Sequence, residues 1–133
     1  MHTEITEAII GSAFEIVNVL GAGFLEKVYE RAMRHELSLR GLSAHSQKSF
    51  SVLYKGQCIG EYFADLIVEG KVVVELKCVD HIANEHVAQC INYLKASGLQ
   101  LALLINFQRP RLEWKRVVLE TSSAVTFHSQ RSV

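Results

Sequence analysis

The first third of the chain carries apolar residues at helical spacing. The first set is Ile5, Ile9, Ala13, Val17 and Leu20. With Thr3 as a cap and the Gly-rich stretch 21–23 as a stop, this set predicts a helix from about 3 to 20. A second helix is predicted from about Phe24 to Gly41. Its expected apolar stripe is Leu25, Val28, Ala32 and Leu39.

From about residue 46 the apolar pattern changes to a period of two, which is typical of strands. The segment FSVLYKGQCIGEYFADLIVEGKVVVELKCV predicts three strands with turns at 55–56 and 69–70. A third helix is expected over 84–96, capped by Asn84 and stopped by Gly98. LQLALLINF is apolar throughout and predicts a central strand, and EWKRVVL after Pro110 predicts the last one.

The predicted order is therefore ααβββαββ. A helix between two strands that can lie parallel favours a mixed sheet flanked by helices, an α/β fold close to α+β. We expect one domain over 1–120 and a loosely patterned C-terminal tail over 121–133.

Composition narrows the class of protein. The chain has 133 residues, with 14 Lys plus Arg and 14 Asp plus Glu, so its net charge is zero with His neutral. This balance argues against a strongly basic nucleic-acid coat, although a local basic patch remains compatible with it. Three Cys at unrelated spacings do not form a disulfide framework, and neither a secretory signal nor a membrane span is visible. We expect a cytoplasmic protein with reduced thiols.

The candidate chemistry lies in YFADLIVEGKVVVELKCVD, residues 62–80. Glu75 and Lys77 are two residues apart in a very apolar strand, so they share one face. Asp65 joins that face only if the turn at 69–70 belongs to a three-residue loop. We expect a loop of 68–70, with residue 67 opposite 71 and Asp65 opposite Val73; Gly70 suits the bulge that such a loop needs.

Two convergent carboxylates raise each other's pKa and are relieved by a hard divalent cation such as Mg²⁺ or Mn²⁺. Such an ion activates water, and a neighbouring Lys ammonium can position that water and stabilise charge on a phosphate. Asp65, Glu75 and Lys77 on adjoining strands are therefore a suitable set for phosphodiester hydrolysis.

The motif Asp-x9-Glu-Leu-Lys, at Asp65, Glu75 and Lys77, resembles that of the PD-(D/E)XK nuclease superfamily, which has the restriction-endonuclease-like fold. GAGFLEKVYE contains G-x-x-E-x-x-Y at Gly23, Glu26 and Tyr29. This motif resembles the GxxExxY family, which is generally placed in that superfamily. The likeness extends over about residues 3–119 and includes EHVAQCINYL and LLINF. Phe63-Ala64 stands where the superfamily name implies Pro.

The resemblance implies roles for individual residues. Asp65 and Glu75 match the metal-binding acids, with the Leu76 backbone carbonyl as a third oxygen, and Lys77 matches the motif lysine. Glu26 matches an acid that reaches the metal from the first helical region. Gln89 matches a polar residue on the helix after the motif. The implied activity is a Mg²⁺-dependent nuclease acting on nucleic acid, with DNA favoured; so small a chain must cut two strands in turn or work as a homodimer.

Other interpretations of the same residues remain open. Glu75 and Lys77 could be a solvated ion-paired face. Tyr29 is better explained as a residue half in the core than as a catalytic one. Cys78, His81, His86 and Cys90 could suggest zinc, but their spacing matches no known zinc knuckle. The basic stretch RPRLEWKR could contact phosphates or form a charged edge strand. The fold also hosts catalytically silent members, so the alternative function is a nucleic-acid- or protein-binding module.

Overall fold

The computed structural model describes residues 1–46 and 49–120, and the backbone of a strand at 125–131. The helices are α1 (Thr3–Leu20), α2 (Glu26–Leu39) and α3 (Asn84–Ser97). The strands are β1 (Ala44–Ser46), β2 (Ser49–Tyr54), β3 (Gln57–Phe63), β4 (Leu66–Val68), β5 (Val72–Lys77), β6 (Leu101–Asn106), β7 (Glu113–Leu119) and β8 (Val125–Arg131).

Six of these strands form one mixed sheet in the order β1-β4-β5-β6-β7-β8. Only the β5–β6 pair is parallel, because α3 connects these two strands as a crossover. The other two strands, β2 and β3, form a separate antiparallel hairpin. The predicted mixed sheet flanked by helices is confirmed, and its central strand β6 is buried along its whole length.

The sheet is covered on both faces. On one face, Val72, Val74 and Leu76 of β5 pack into a core with α1 and α2. On the other face, Val73 of β5 packs with α3 and with partly buried side chains of the β2–β3 hairpin. Because side chains alternate along a strand, the odd-numbered residues of β5, including Glu75 and Lys77, face α3.

One of the predicted strands is divided in the structure. The predicted second strand separates at Ala64–Asp65 into β3, which belongs to the hairpin, and β4, which belongs to the large sheet. The first predicted strand corresponds to β2, whereas β1 and β8 were not predicted, so the observed order has three more strands than expected. In the C-terminal tail, β8 pairs with β7, and residues 121–124 and 132–133 lie outside the described residues.

The predicted apolar stripe of α2 was wrong. Leu25 and Leu39 are 78% and 69% exposed, whereas Tyr29, Met33 and Leu37 are fully buried. Tyr29 takes the central place because its ring stacks on Phe107, with 4.5 Å between centroids. Its hydroxyl donates a hydrogen bond to the Gly21 carbonyl at 2.7 Å and accepts one from the Phe24 N–H at 3.3 Å. Tyr29 therefore closes the α1–α2 turn from inside the core, where it is buried more deeply than the half-core position predicted for it.

Candidate active site

The β4–β5 hairpin sets the position of Asp65. Val68 lies opposite Val72 and Leu66 opposite Val74, so the ladder continues to place Asp65 opposite Glu75. The predicted register, with Asp65 opposite Val73, was wrong: the loop does have three residues, but they are 69–71 and not 68–70. Asp65 nevertheless shares a face of the sheet with Glu75 and Lys77, as expected, because both registers place it on that face.

The turn geometry explains the shift. Glu69 and Gly70 have φ of 55° and 64°, and the Lys71 N–H donates to the Val68 carbonyl at 3.0 Å. A turn with two consecutive left-handed residues closes directly after Val68, so the extra loop residue, Lys71, comes after the turn and not before it.

Asp65 occupies the edge of β5 that β4 is too short to cover. Its Oδ2 accepts a hydrogen bond from the Leu76 N–H at 2.8 Å. On the next residue, the Lys77 carbonyl points the opposite way and accepts a bond from the Phe107 N–H at 2.8 Å. Since the N–H and C=O of one strand residue point to the same side, the Leu76 carbonyl is directed toward Asp65.

Glu75 is a buried carboxylate. Its side chain is 6% exposed, and its Oε1 is the buried polar side-chain atom that lacks a hydrogen-bond partner among the described residues. Burial and the adjacent Asp65 charge raise the pKa of Glu75 to about 9, against a smaller opposing effect of Lys77. Burial also raises the pKa of Asp65, while the Leu76 N–H opposes that shift. At neutral pH the two coupled carboxyls therefore retain a proton between them.

Two acids reach this edge from α2. Glu26, at the first position of the helix, accepts a hydrogen bond from the Cys78 N–H at 3.2 Å and so lies beside the end of β5. Glu30, one turn later, is buried and paired with Lys27 at 3.0 Å, and its charge raises the pKa of Asp65 more than that of Glu26 does. Sequence reasoning missed Glu30; the spacing Glu26-x-x-x-Glu30, which puts both acids on one helix face, was the available signal.

Lys77 and Gln89 meet on the α3 side of the site. The Lys77 ammonium donates to the Gln89 Oε1 at 3.4 Å. Deeper in the same layer, burial raises the pKa of Cys90 to about 12 and also raises the pKa of Tyr93, and the charges of Glu75 and Asp65 add to both shifts. Of the five side chains singled out in the sequence, the structure thus places Asp65, Glu75, Lys77 and Gln89 around the end of β5, with Glu26 beside the Cys78 N–H.

The loop after Lys77 is held by a buried amide. Asn106 is 3% exposed and lies opposite Lys77 in the β5–β6 ladder. Its Oδ1 accepts from the Val79 N–H at 3.1 Å, and its Nδ2 donates to the Val79 carbonyl at 2.7 Å and to Glu113 at 3.1 Å. Glu113 also accepts from the Ile82 N–H at 3.0 Å. Asn106 and Glu113 therefore fix the path of the chain from Lys77 toward α3; neither was singled out in the sequence.

The donor set suits a hard cation that keeps several waters. No group of three or more His, Cys, Asp or Glu side chains converges as a metal site within the described ranges. A metal at this edge would therefore have the Asp65 and Glu75 carboxylates and the Leu76 carbonyl, with water completing the shell, which Mg²⁺ accepts. The partnerless Glu75 oxygen fits that role, because a cation would satisfy an atom that the protein leaves without a donor.

The sequence model of the PD-(D/E)XK nuclease superfamily matches residues 3–117, which include all five of these side chains. The chain belongs to this superfamily. Membership agrees with the observed α+β architecture and the restriction-endonuclease-like fold expected from the sequence.

Other comparisons are weaker. No curated protein sequence matches the chain. Among solved structures, the chain is similar to SSO0001, known from a crystal structure, with a TM-score of 0.46 and 15% identity. The alignment covers 96% of this chain and 57% of that one, so the chain spans little more than half the length of SSO0001. A TM-score below 0.5 does not establish a shared fold, and the family match alone carries the assignment.

Among the described residues, no helix of this superfamily member is both long enough and apolar enough to span a bilayer.

Proposed function

We propose that this member of the PD-(D/E)XK superfamily is a nuclease that hydrolyses phosphodiester bonds of nucleic acid, DNA in the first instance, and that it requires Mg²⁺ or Mn²⁺. The observation that supports this most directly is the Asp65–Glu75 pair, two facing carboxylates with a buried, partnerless oxygen beside Lys77. The assignment to the GxxExxY family is part of the same proposal and rests on Gly23, Glu26 and Tyr29.

The metal would be held by the Asp65 and Glu75 carboxylates and the Leu76 carbonyl. When bound, it would supply charge to stabilise the phosphate in the transition state and lower the pKa of a coordinated water. Glu75 must lose its proton to serve as a ligand, so binding is coupled to proton release.

The protein's own residues would orient the reaction. Lys77, half-buried and held by Gln89, presents an ammonium that positions the attacking water and stabilises negative charge on the phosphate oxygens. Gln89 is a positioning residue, since it acts through Lys77. One oxygen of Glu26 accepts a hydrogen bond from the Cys78 N–H, and the other would accept a hydrogen bond from water or contribute to the metal.

The test is cleavage of labelled DNA and RNA, single- and double-stranded, with Mg²⁺, Mn²⁺ or a chelator. The wild type is expected to cut at least one substrate only with the divalent ion, and Glu75→Gln and Lys77→Ala to lower the rate at least 100-fold. Glu85→Gln is the matched control, because Glu85 is an exposed acid in the first turn of α3.

Two outcomes would contradict the proposal. Cleavage that persists in both variants would come from a contaminating enzyme. A wild type that binds nucleic acid or a protein partner, but cuts nothing across the panel, would instead be the catalytically silent binding module.

A further inference from the structure

A cationic cleft of about 480 Å³ lies between α2 and β1. Its polar lining consists of Arg31, Arg34, His35, Ser38, Ser43 and His45. No acidic side chain is among its lining residues. The cleft is therefore suited to an anionic ligand.

The two arginines have no partner within the described part of the chain. Two neighbouring cations do have partners: Lys27 of α2 pairs with Glu30 at 3.0 Å, and Arg40, just past the end of α2, pairs with Glu36 at 2.8 Å. Arg31 and Arg34 are exposed, and neither makes an ion pair or hydrogen bond there. At the cleft rim, the Glu69 carboxylate is already engaged by the Ser43 N–H at 2.9 Å. The guanidinium groups are thus available to bind an anion.

The cleft and the carboxylate pair lie along one edge of the sheet. On α2, Arg34 follows Glu26 by eight residues, an axial distance of about 12 Å. In the β1–β4 ladder, His45 lies opposite Ile67, which is two residues beyond Asp65. A stacked nucleic-acid strand advances about 3.4 Å per nucleotide, so about three or four nucleotides span this distance.

We propose that this cleft binds the backbone phosphates of a nucleic-acid strand about three or four nucleotides from the phosphate at Asp65 and Glu75. Arginine binds phosphate oxygens in a bidentate manner, and Ser and His side chains add hydrogen bonds to the backbone. The inference rests on the proposed function for the position of the scissile phosphate, but phosphate binding in the cleft does not require cleavage.

The first test measures binding without turnover. A labelled single-stranded oligonucleotide of about 12 nucleotides is titrated at several salt concentrations against Glu75→Gln protein. Adding Arg31→Gln and Arg34→Gln should weaken binding about tenfold or more and reduce the slope of log K against log salt by about 1.4, or ~0.7 per lost phosphate contact. Each single cleft variant should reduce the slope by ~0.7, whereas adding Arg40→Gln, which removes one positive charge just past the end of α2 and outside the cleft, should change neither the affinity nor the slope.

Equal weakening by Arg40→Gln, or no change on losing both cleft arginines, would overturn the proposal. Melting temperatures of all variants check that they are folded. Because the substituted side chains are exposed, the glutamine variants are expected to melt within a few degrees of their parent.

The second test uses the catalytically intact protein and a series of substrate lengths. For strands longer than about four nucleotides, the cleft variants should raise KM with kcat nearly unchanged; for dinucleotides, they should behave as wild type. If the cleft variants raised KM equally for dinucleotides and for longer strands, the proposed path of the strand from the carboxylate pair to the cleft would be overturned. If no strand is cut but the binding difference persists, the proposed nuclease activity fails while the cleft assignment stands.

Discussion

Asp65 accepts a hydrogen bond from the Leu76 backbone N–H at 2.8 Å, on the stretch of β5 that β4 leaves unpaired. This bond takes the place of a missing ladder contact and holds the Asp65 carboxylate against Glu75. The site is thus a consequence of strand length: three more residues of β4 pairing would have covered this edge of β5.

The tight turn that sets this register depends on Gly70, whose φ is +64°. Gly70→Ala should lower the free energy of unfolding by about 1–2 kcal/mol, because a side chain disfavours the left-handed conformation. Gly60→Ala is the matched control, since a Cβ at Gly60 meets nothing within 4 Å and its φ is not in that range. Urea unfolding of both variants provides the measurement, and equal destabilisation would contradict this role of the turn.

Stability of the metal-free protein should fall as pH rises from about 5 to 9. The pKa of Glu75 is raised from 4.5 to about 9 in the folded state, so the folded protein binds the extra proton within that window. The stabilisation is therefore complete below 4.5 and is lost as pH approaches 9, with a slope of at most about 1.4 kcal/mol per pH unit.

Glu75→Gln should flatten that slope, because a neutral amide replaces the group that would otherwise ionise. Glu85→Gln, at an exposed acid, should leave the slope as in the wild type. Chemical denaturation at a series of pH values gives the comparison, and a wild-type stability that increases between pH 6 and 9 would contradict the assigned pKa.

Tyr29→Phe separates a structural role from a catalytic one in the G-x-x-E-x-x-Y motif. The variant keeps the ring stacked on Phe107 but loses the hydroxyl's bond to the Gly21 carbonyl, so stability should fall by about 1 kcal/mol. Tyr54→Phe, at an exposed ring, should be neutral. Loss of any cleavage activity by Tyr29→Phe without a change in stability would show that the hydroxyl acts in the reaction.

The sequence predicts secondary structure best where a single hydrophobic pattern dominates a segment. The continuous apolar run of β6 and the boundaries of β7 at 113–119 agree with expectation. The break at Ala64–Asp65 could not be predicted, because no Gly or Pro marks it between Gly60 and Val68 and the two halves join different sheets only through tertiary packing.

The sequence was enough to identify the main residues of the site, but not the hairpin register or every residue that surrounds them. Asp65, Glu75 and Lys77 follow from strand parity, whereas the hairpin register depends on which loop residue follows the turn. Glu30 was missed because a charged residue on an amphipathic helix is normally exposed, and only the fold turns this one inward. Asn106 was also missed, because it lies in an apolar strand and its hydrogen-bond partners, Val79 and Glu113, belong to other parts of the chain.

The central claim is that Asp65 and Glu75 together bind one divalent cation. Isothermal titration of the wild type with Mn²⁺ or Mg²⁺ at pH 7, in buffers of different ionisation enthalpy, tests it directly. We expect one ion per chain with release of about one proton, since Glu75 must ionise, and at least tenfold weaker binding for Asp65→Asn and Glu75→Gln but not for Glu85→Gln. No binding by the wild type, or equal binding by all four proteins, would contradict the account.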